Sequence, residues 1–341
     1  MATTTATSAP TAANYQPEER SFELRNGLVI TARHWRSSPS GSARDCRRFL
    51  AVHGFLDNAS SFDLLAPLML QKLGPEPVEI VALDLAGHGK SSHRQTEDYG
   101  LWRYVEDMDQ IVEQLGWTEQ GHAILGHSMG GAVSSIYAGL YQDRVKLCIL
   151  LDNYGPFTRS VEDQPLHLLE HIAEKKNLVN KRLPFHPTIQ SACVARTNGG
   201  NFAMELSSAQ VLVPRGLRPM ERIVQELGSD GESKVEVVQQ GYTWSTDQIL
   251  TIRSAQSLSE GYVKAFMSRI TAPFLAVLAS QGLGPLTEML ELRTTWLAQT
   301  KSVTKRIVPG NHSVHLDNAS VVASEVCSWI LAQDSAPKAR L

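Results

Sequence analysis

His122-Ala123-Ile124-Leu125-Gly126-His127-Ser128-Met129-Gly130-Gly131 opens as a short apolar run, bends through glycines and continues as the small, apolar segment 130–141. An apolar run of strand length bounded by glycine reads as a buried β-strand, and the small-residue segment behind it as a buried helix. Within it, Gly126-His127-Ser128-Met129-Gly130 has the form G-x-S-x-G. That pattern is common by chance, but its place between strand and helix makes it specific, because a nucleophile elbow must sit at a strand-to-helix turn. Gly126 and Gly130 let the backbone turn sharply, so Ser128 is lifted out with a helix N-terminus behind it to stabilise negative charge.

Outward from this turn the same alternation repeats. Upstream, residues 21–35 alternate apolar and polar around Asn26-Gly27, a strong hairpin signal. Residues 47–52 read as a strand ending at His53-Gly54, 62–73 as a helix, 78–83 as a strand, and 104–115 as an amphipathic helix. After the turn, 147–151 is a strand. The alternation stops after Asp152 and resumes with a strand at 274–278, a helix at 287–298, a strand at 304–308 and a last helix at about 320–331. Strands alternating with helices predict an α/β fold: a mostly parallel sheet with helices on both faces. The expected organisation is a disordered tail over 1–20, a core made of 21–152 and 258–335, and a cap over 153–257. That cap is read as helical and strandless, placed to cover a site.

Composition narrows the function classes. With 42% hydrophobic and 20% charged residues the chain is too apolar for disorder. A net charge of −3 without a basic stripe gives no phosphate-neutralising surface, so nucleic acid is not an expected partner. No apolar run approaches ~18 residues, so no spanning helix is expected. Cys46, Cys148, Cys193 and Cys327 are far apart, with no CxxC pair and no Cys/His metal spacing, which fits a reduced, cytoplasmic protein. The N-terminus lacks the basic start of a secretory signal and the arginines of a transit peptide. The C-terminal Ala339-Arg340-Leu341 resembles a variant of the Ser-Lys-Leu peroxisomal address, the alternative location. No P-loop, no GxGxxG with a following acid and no metal cluster appears, so neither cofactor nor metal is expected. Nothing in the sequence sets an oligomeric state.

The pieces VHGFLDNASSFDLLAPL, ALDLAGHGKSSH, ILGHSMGG, LLDNYGPF and VPGNHSVHLDN resemble the α/β-hydrolase superfamily, in the same order and across the whole core. HGFLDNASSFD, GHGKSSH and GNHSVHL are closest to its serine hydrolase-like (kraken-type) subgroup, and VLVPRG at 211–216 is similar to a cap piece of that subgroup. The resemblance implies a Ser–His–acid hydrolase with a helical cap. It implies that the loop His53-Gly54-Phe55-Leu56-Asp57-Asn58 supplies an oxyanion donor, the Phe55 amide, which converges with the Met129 amide. His312, in Val308-Pro309-Gly310-Asn311-His312, occupies the family's catalytic histidine position. It follows serine in chain order, and imidazole suits the task because its pKa lies near neutrality. His315 competes for the role but reads as a structural neighbour, as do His53 and His127; Asp84 reads as a residue that fixes backbone.

The acid is where this chain departs from the pattern. The family usually carries an Asp after the strand at 274–278, but Ala279-Ser280-Gln281-Gly282-Leu283-Gly284-Pro285 contains no carboxylate. Asp152, at the end of the strand after the nucleophile helix, is the first alternative, since some α/β-hydrolases place the acid there; it could equally be a turn-capping Asx residue. Glu288 is the second. The third is that no acid exists and Ser280 or Gln281 orients the ring. The expected activity is hydrolysis of a small-molecule carboxylic ester through an acyl-enzyme. A thioester hydrolase, an acyltransferase and a catalytically weak ligand-binding protein are the alternatives. Trp244, Phe202, Met204 and Leu212 are candidates to line the pocket, and Asp247 in TWSTDQ has no assigned role.

Overall fold

Short apolar segments become strands and the amphipathic ones between them become helices. The computed structural model describes residues 15–37, 46–198, 203–227, 234–283 and 287–335. The chain opens with an antiparallel pair, β1 (Glu18–Glu23) and β2 (Val29–Arg36), which turns at Gly27 with φ +79°. There follow β3 (Arg47–Val52), α1 (Leu65–Leu73), β4 (Val78–Leu83), α2 (Leu101–Gln114), β5 (His122–His127), α3 (Met129–Leu140) and β6 (Val145–Leu151). Next come α4 (Gln164–Leu178), α5 (Ile189–Thr197), α6 (Leu206–Leu212), β7 (Leu217–Leu227), β8 (Lys234–Trp244) and α7 (Glu260–Met267). The chain then forms β9 (Phe274–Gln281), α8 (Thr287–Trp296), β10 (Val303–Asn311), α9 (Val314–Asp317) and α10 (Ala319–Ser335).

Eight strands form one sheet in the order β1-β2-β4-β3-β5-β6-β9-β10; β2 is antiparallel to both neighbours and the rest run parallel. Interior parallel strands must be apolar on both faces, and all six residues of β5 are buried. The period of two then splits each strand between two cores. Leu50 and Val52 face α2 and α3 through Met108, Ile111, Val133 and Tyr137. Phe49 and Ala51 face α1 and α10 through Met69, Leu70, Val322 and Val326. A fully buried leucine such as Leu50 contributes about 2 kcal/mol.

The strand order reverses at β3, with β4 on one side and β5 on the other. Open α/β sheets bind ligands in the crevice at the C-terminal ends of the strands beside such a switch point. The loops after β3 and β5 carry Phe55 and Ser128, so both stand at this crevice.

Two expectations need correction. The sheet begins at Glu18, not after residue 20, because Glu18, Glu19 and Arg20 pair with His34, Arg33 and Ala32; their polar side chains suit an edge strand and hide it in the sequence. The segment after Asp152 is not strandless: β7 and β8 pair over eleven residues each as an antiparallel ribbon. The expected pocket residues also divide. Trp244 lines a cavity, Met204 and Leu212 pack in a small core of their own with Ala192 and Cys193, and Phe202 lies outside the described residues. Residues 1–14 and Ala339-Arg340-Leu341 also lie outside them. Among the described residues no helix is long and apolar enough to cross a membrane.

Candidate active site

Ser128 adopts φ 48° and ψ −120°, a conformation that costs a non-glycine residue about 1–3 kcal/mol and persists only where its surroundings hold it. The hold is visible. Ser128 N–H donates to the Leu151 carbonyl at 3.1 Å, and α3 starts so close to β3 that a Cβ on Gly130 would lie 2.1 Å from the Val52 carbonyl oxygen. The elbow read from G-x-S-x-G is therefore present, with Gly130 required by this approach.

Three side chains from three strand ends meet here. The Ser128 hydroxyl donates to His312 Nε2 at 2.8 Å, and His312 Nδ1–H donates to Asp152 Oδ2 at 2.6 Å. All three residues are buried. In a neutral imidazole this arrangement selects the tautomer with Nε2 bare toward the serine and Nδ1 protonated toward the carboxylate.

Asp152 ends β6 at φ 42°, with its N–H donating to the Val277 carbonyl at 2.7 Å. The end of β9, which lacks a carboxylate, holds this one instead: Ala279 N–H donates to Oδ1 at 2.9 Å and Leu283 N–H to Oδ2 at 3.2 Å. Gly282 lets the loop lie down on the carboxylate, because a Cβ there would sit 2.2 Å from Oδ2. Ser280 is engaged elsewhere, its hydroxyl accepting from Gly310 N–H at 3.3 Å, and Gln281 pairs along the strand with Asn311 and is exposed. Glu288 falls in α8, and its side chain lies outside the described residues. Nothing in the local sequence marks Ala279, Gly282 and Leu283 as partners of Asp152; only the pairing of β6 with β9 brings them together.

Phe55 follows β3 in a turn closed by Asp57 N–H donating to the Gly54 carbonyl at 3.2 Å. Met129 is the first residue of α3, so its N–H is among the donors that a helix start leaves without an intrahelical partner. Both residues line the same cavity as Ser128 and His312.

Three further histidines, His53, His127 and His315, pack around this centre with pKa values lowered by burial. His127 Nε2–H donates to the His312 carbonyl at 3.0 Å, a support the sequence did not suggest, and burial, then the neighbouring His312, lowers its pKa to about 4. His315 bonds the Ser61 hydroxyl through Nε2 at 2.6 Å, and burial holds its pKa well below the ordinary value. His53 donates from Nδ1 to the Gly54 carbonyl and accepts from Leu85 N–H, anchoring the loop as expected. With His127 uncharged, its ring places no positive charge against His312. Asp84 is a backbone clamp, taking the Ala59 and Lys90 N–H groups and the Arg215 guanidinium. Asp247 accepts the Tyr99 hydroxyl at 2.6 Å, tying the segment after β8 to the core.

One group with metal-ligand chemistry occurs among the described residues: Asp57, His127 and His315 place ligand atoms within 4.8 Å of one another. Each already has a protein partner, since Asp57 pairs with Arg196 at 3.0 Å. Burial pushes the Asp57 carboxyl up, but Arg196, then His127 and His53, outweigh it and hold the group below its ordinary value.

Ser128, Met129 and His312 open onto a cavity of about 1350 Å³. Core loops form its floor, and Phe157, Arg159, Leu183, Trp244 and Leu250 contribute to the opposite wall. Much of its lining surface is apolar, and Lys175, Lys181, Arg182, Arg196 and Arg253 add cationic groups to the wall.

Residues 47–319 match the family described as alpha/beta hydrolase fold. A serine hydrolase-like protein of Dictyostelium discoideum is 24% identical over 324 residues, 93% of this chain and 82% of that protein. A serine hydrolase-like protein of Danio rerio is 28% identical over 296 residues, 84% of this chain and 82% of that one. Among solved structures, a hypothetical protein of Pseudomonas aeruginosa PAO1 is 32% identical with a TM-score of 0.75, covering 92% of this chain and 99% of that chain.

Proposed function

We propose, since this chain belongs to the alpha/beta hydrolase fold family, that it is a serine hydrolase that cleaves carboxylic esters through an acyl-enzyme. The observation that carries the reading is the unbroken hydrogen-bond relay from Ser128 through His312 to Asp152 at the edge of a large cavity. The names of its serine hydrolase-like relatives point the same way.

In this mechanism Ser128 Oγ attacks the acyl carbonyl while His312 Nε2 takes its proton. Asp152, fixed by the Ala279 and Leu283 amides, holds the ring and stabilises the imidazolium. The Phe55 and Met129 N–H groups receive the oxyanion; losing one such donor costs about 3 kcal/mol. His312 returns the proton to the leaving alcohol, and water, activated by the same imidazole, releases the acid. The segment 153–257 acts as a cap, supplying the wall of the cavity opposite the nucleophile.

Steady-state hydrolysis of p-nitrophenyl esters from acetate to laurate tests this, with wild type and Ser128→Ala side by side. Turnover that disappears in Ser128→Ala supports the reading, and the chain-length optimum sizes the acyl site. Background rates for both proteins on every ester would overturn it, and preference for acyl thioesters would move the substrate class to the thioester.

A further inference from the structure

Helix α4 is inside out. At 100° per residue, His167, His171 and Glu174 share one side, and that side faces the protein. His167 is buried, His171 Nδ1–H donates to the Arg253 carbonyl at 2.8 Å, and Glu174 accepts from Arg253 N–H and Nε–H at 2.8 and 2.9 Å. The opposite side is apolar and faces water: Leu168, Leu169 and Ile172 are 45%, 64% and 42% exposed. Phe157 before the helix and Val179 after it are also exposed, at 60% and 89%. Single exposed leucines are ordinary, but a continuous apolar stripe on a helix whose polar groups point inward marks a surface that meets something apolar.

Charge says what. Lys176 lies one turn beyond Ile172 on the same outward side; Lys181, whose ammonium donates to the Thr251 hydroxyl at 2.9 Å, and Arg182 follow the helix, and all three are exposed and form no ion pair among the described residues. The acidic groups inside α4 point inward to Arg253, while Glu162 and Asp163 stand at its other end. Leucines and an isoleucine flanked by exposed cations that form no ion pair among the described residues make the pattern of a helix that lies in a lipid–water interface. The same helix lines the cavity through His167, His171 and Lys175, and Lys181 and Arg182 also line it, so the cationic end stands at the cavity.

We infer that α4 docks the protein on a membrane surface carrying anionic headgroups, apolar side inward to the acyl region, with the cavity presented to that surface. Apolar burial supplies the anchoring, and each cation adds about a fivefold gain in binding to an anionic surface. The identity of what then enters the cavity rests on the proposed function; the docking does not.

Co-sedimentation of the full chain with vesicles tests it, using phosphatidylcholine alone and phosphatidylcholine mixed with phosphatidylserine. The wild type is expected to sediment with the mixed vesicles, more weakly with phosphatidylcholine and more weakly as salt rises. Leu168→Gln, Leu169→Gln and Ile172→Gln combined should lower binding at least ~10-fold, and Lys176→Glu about 20-fold on the anionic vesicles. Both variants should keep the wild-type circular dichroism and the wild-type rate on a soluble short-chain ester. Wild type that stays in the supernatant with both vesicles overturns the inference, as does binding that survives the triple substitution. So does a solution dimer that the triple substitution separates, because the stripe would then be a subunit interface. Vesicle binding without ester turnover would leave the docking standing and remove the esterase reading alone.

Discussion

Gly282→Ala tests the acid without touching it. The new methyl would lie 2.2 and 2.3 Å from Oδ2 and Oδ1 of Asp152, against an ordinary contact near 3.4 Å. Either the carboxylate or the loop must yield by roughly 1 Å, and Asp152 has little room, being 2% exposed with Oδ1 held by Ala279. A shift of that size breaks the 2.6 Å bond to His312 Nδ1. Displacements of roughly 1 Å in a reacting constellation lower rates about 10²-fold. Turnover of p-nitrophenyl butyrate should therefore fall about 10²-fold with KM nearly unchanged, since Gly282 does not line the cavity. Overpacking should lower stability by about 1–3 kcal/mol, read from the denaturant midpoint. In an Asp152→Asn background the same change should cost almost nothing further in kcat, because both act through one contact. Wild-type turnover in folded Gly282→Ala, or fully additive losses in the double variant, would refute the role given to this loop.

Other outcomes follow from the same geometry. Asp152→Asn should lower kcat by about 10⁴, whereas Glu288→Gln should leave it at the wild-type value in the same assay. Arg215→Met leaves the Asp84 carboxylate buried beside α1's entry without its guanidinium, and should cost about 3 kcal/mol in chemical denaturation. Stability should decline on acidification from about pH 7 to pH 5, measured as the melting temperature. Burial lowers His88 to about 3 and His122 and His127 to about 4, against 6.5 in the unfolded chain. The unfolded state therefore binds protons that the native state refuses, so this contribution is complete above 6.5 and lost as the pH falls. Burial raises Asp63 to about 6 and Asp107 to about 7, which offsets part of the decline by letting the native state take protons first.

Much of this was legible because local rules and global fold agree. β3 and β4 match the predicted segments 47–52 and 78–83, since a buried parallel strand is a continuous apolar run bounded by turn residues. Ser128 and His312 could be picked out because an elbow and a histidine after the last strand are local features. The carboxylate was legible only as the first of three alternatives. Asp152 in Asp152-Asn153-Tyr154-Gly155 reads equally as turn chemistry, and what distinguishes it are two amide donors from 127 and 131 residues away. The β7–β8 ribbon escaped for the opposite reason. Gly241 and Thr243 near its base are buried, but the described residues from Glu221 to Gln225 and from Glu236 to Gln240 are exposed or intermediate and pair as Glu221 with Gln240 and Arg222 with Gln239, so no apolar period of two marks the strands. The outward leucines of α4 have helical spacing, and sequence alone cannot tell a stripe that faces a core from one that faces water.

The most direct measurement is intact-protein mass spectrometry after treatment with a fluorophosphonate, followed by peptide mapping. A single phosphonyl adduct is expected on Ser128, absent from Ser128→Ala and strongly slowed in His312→Ala. No adduct on a folded wild-type protein, or an adduct on another serine that survives Ser128→Ala, would contradict it.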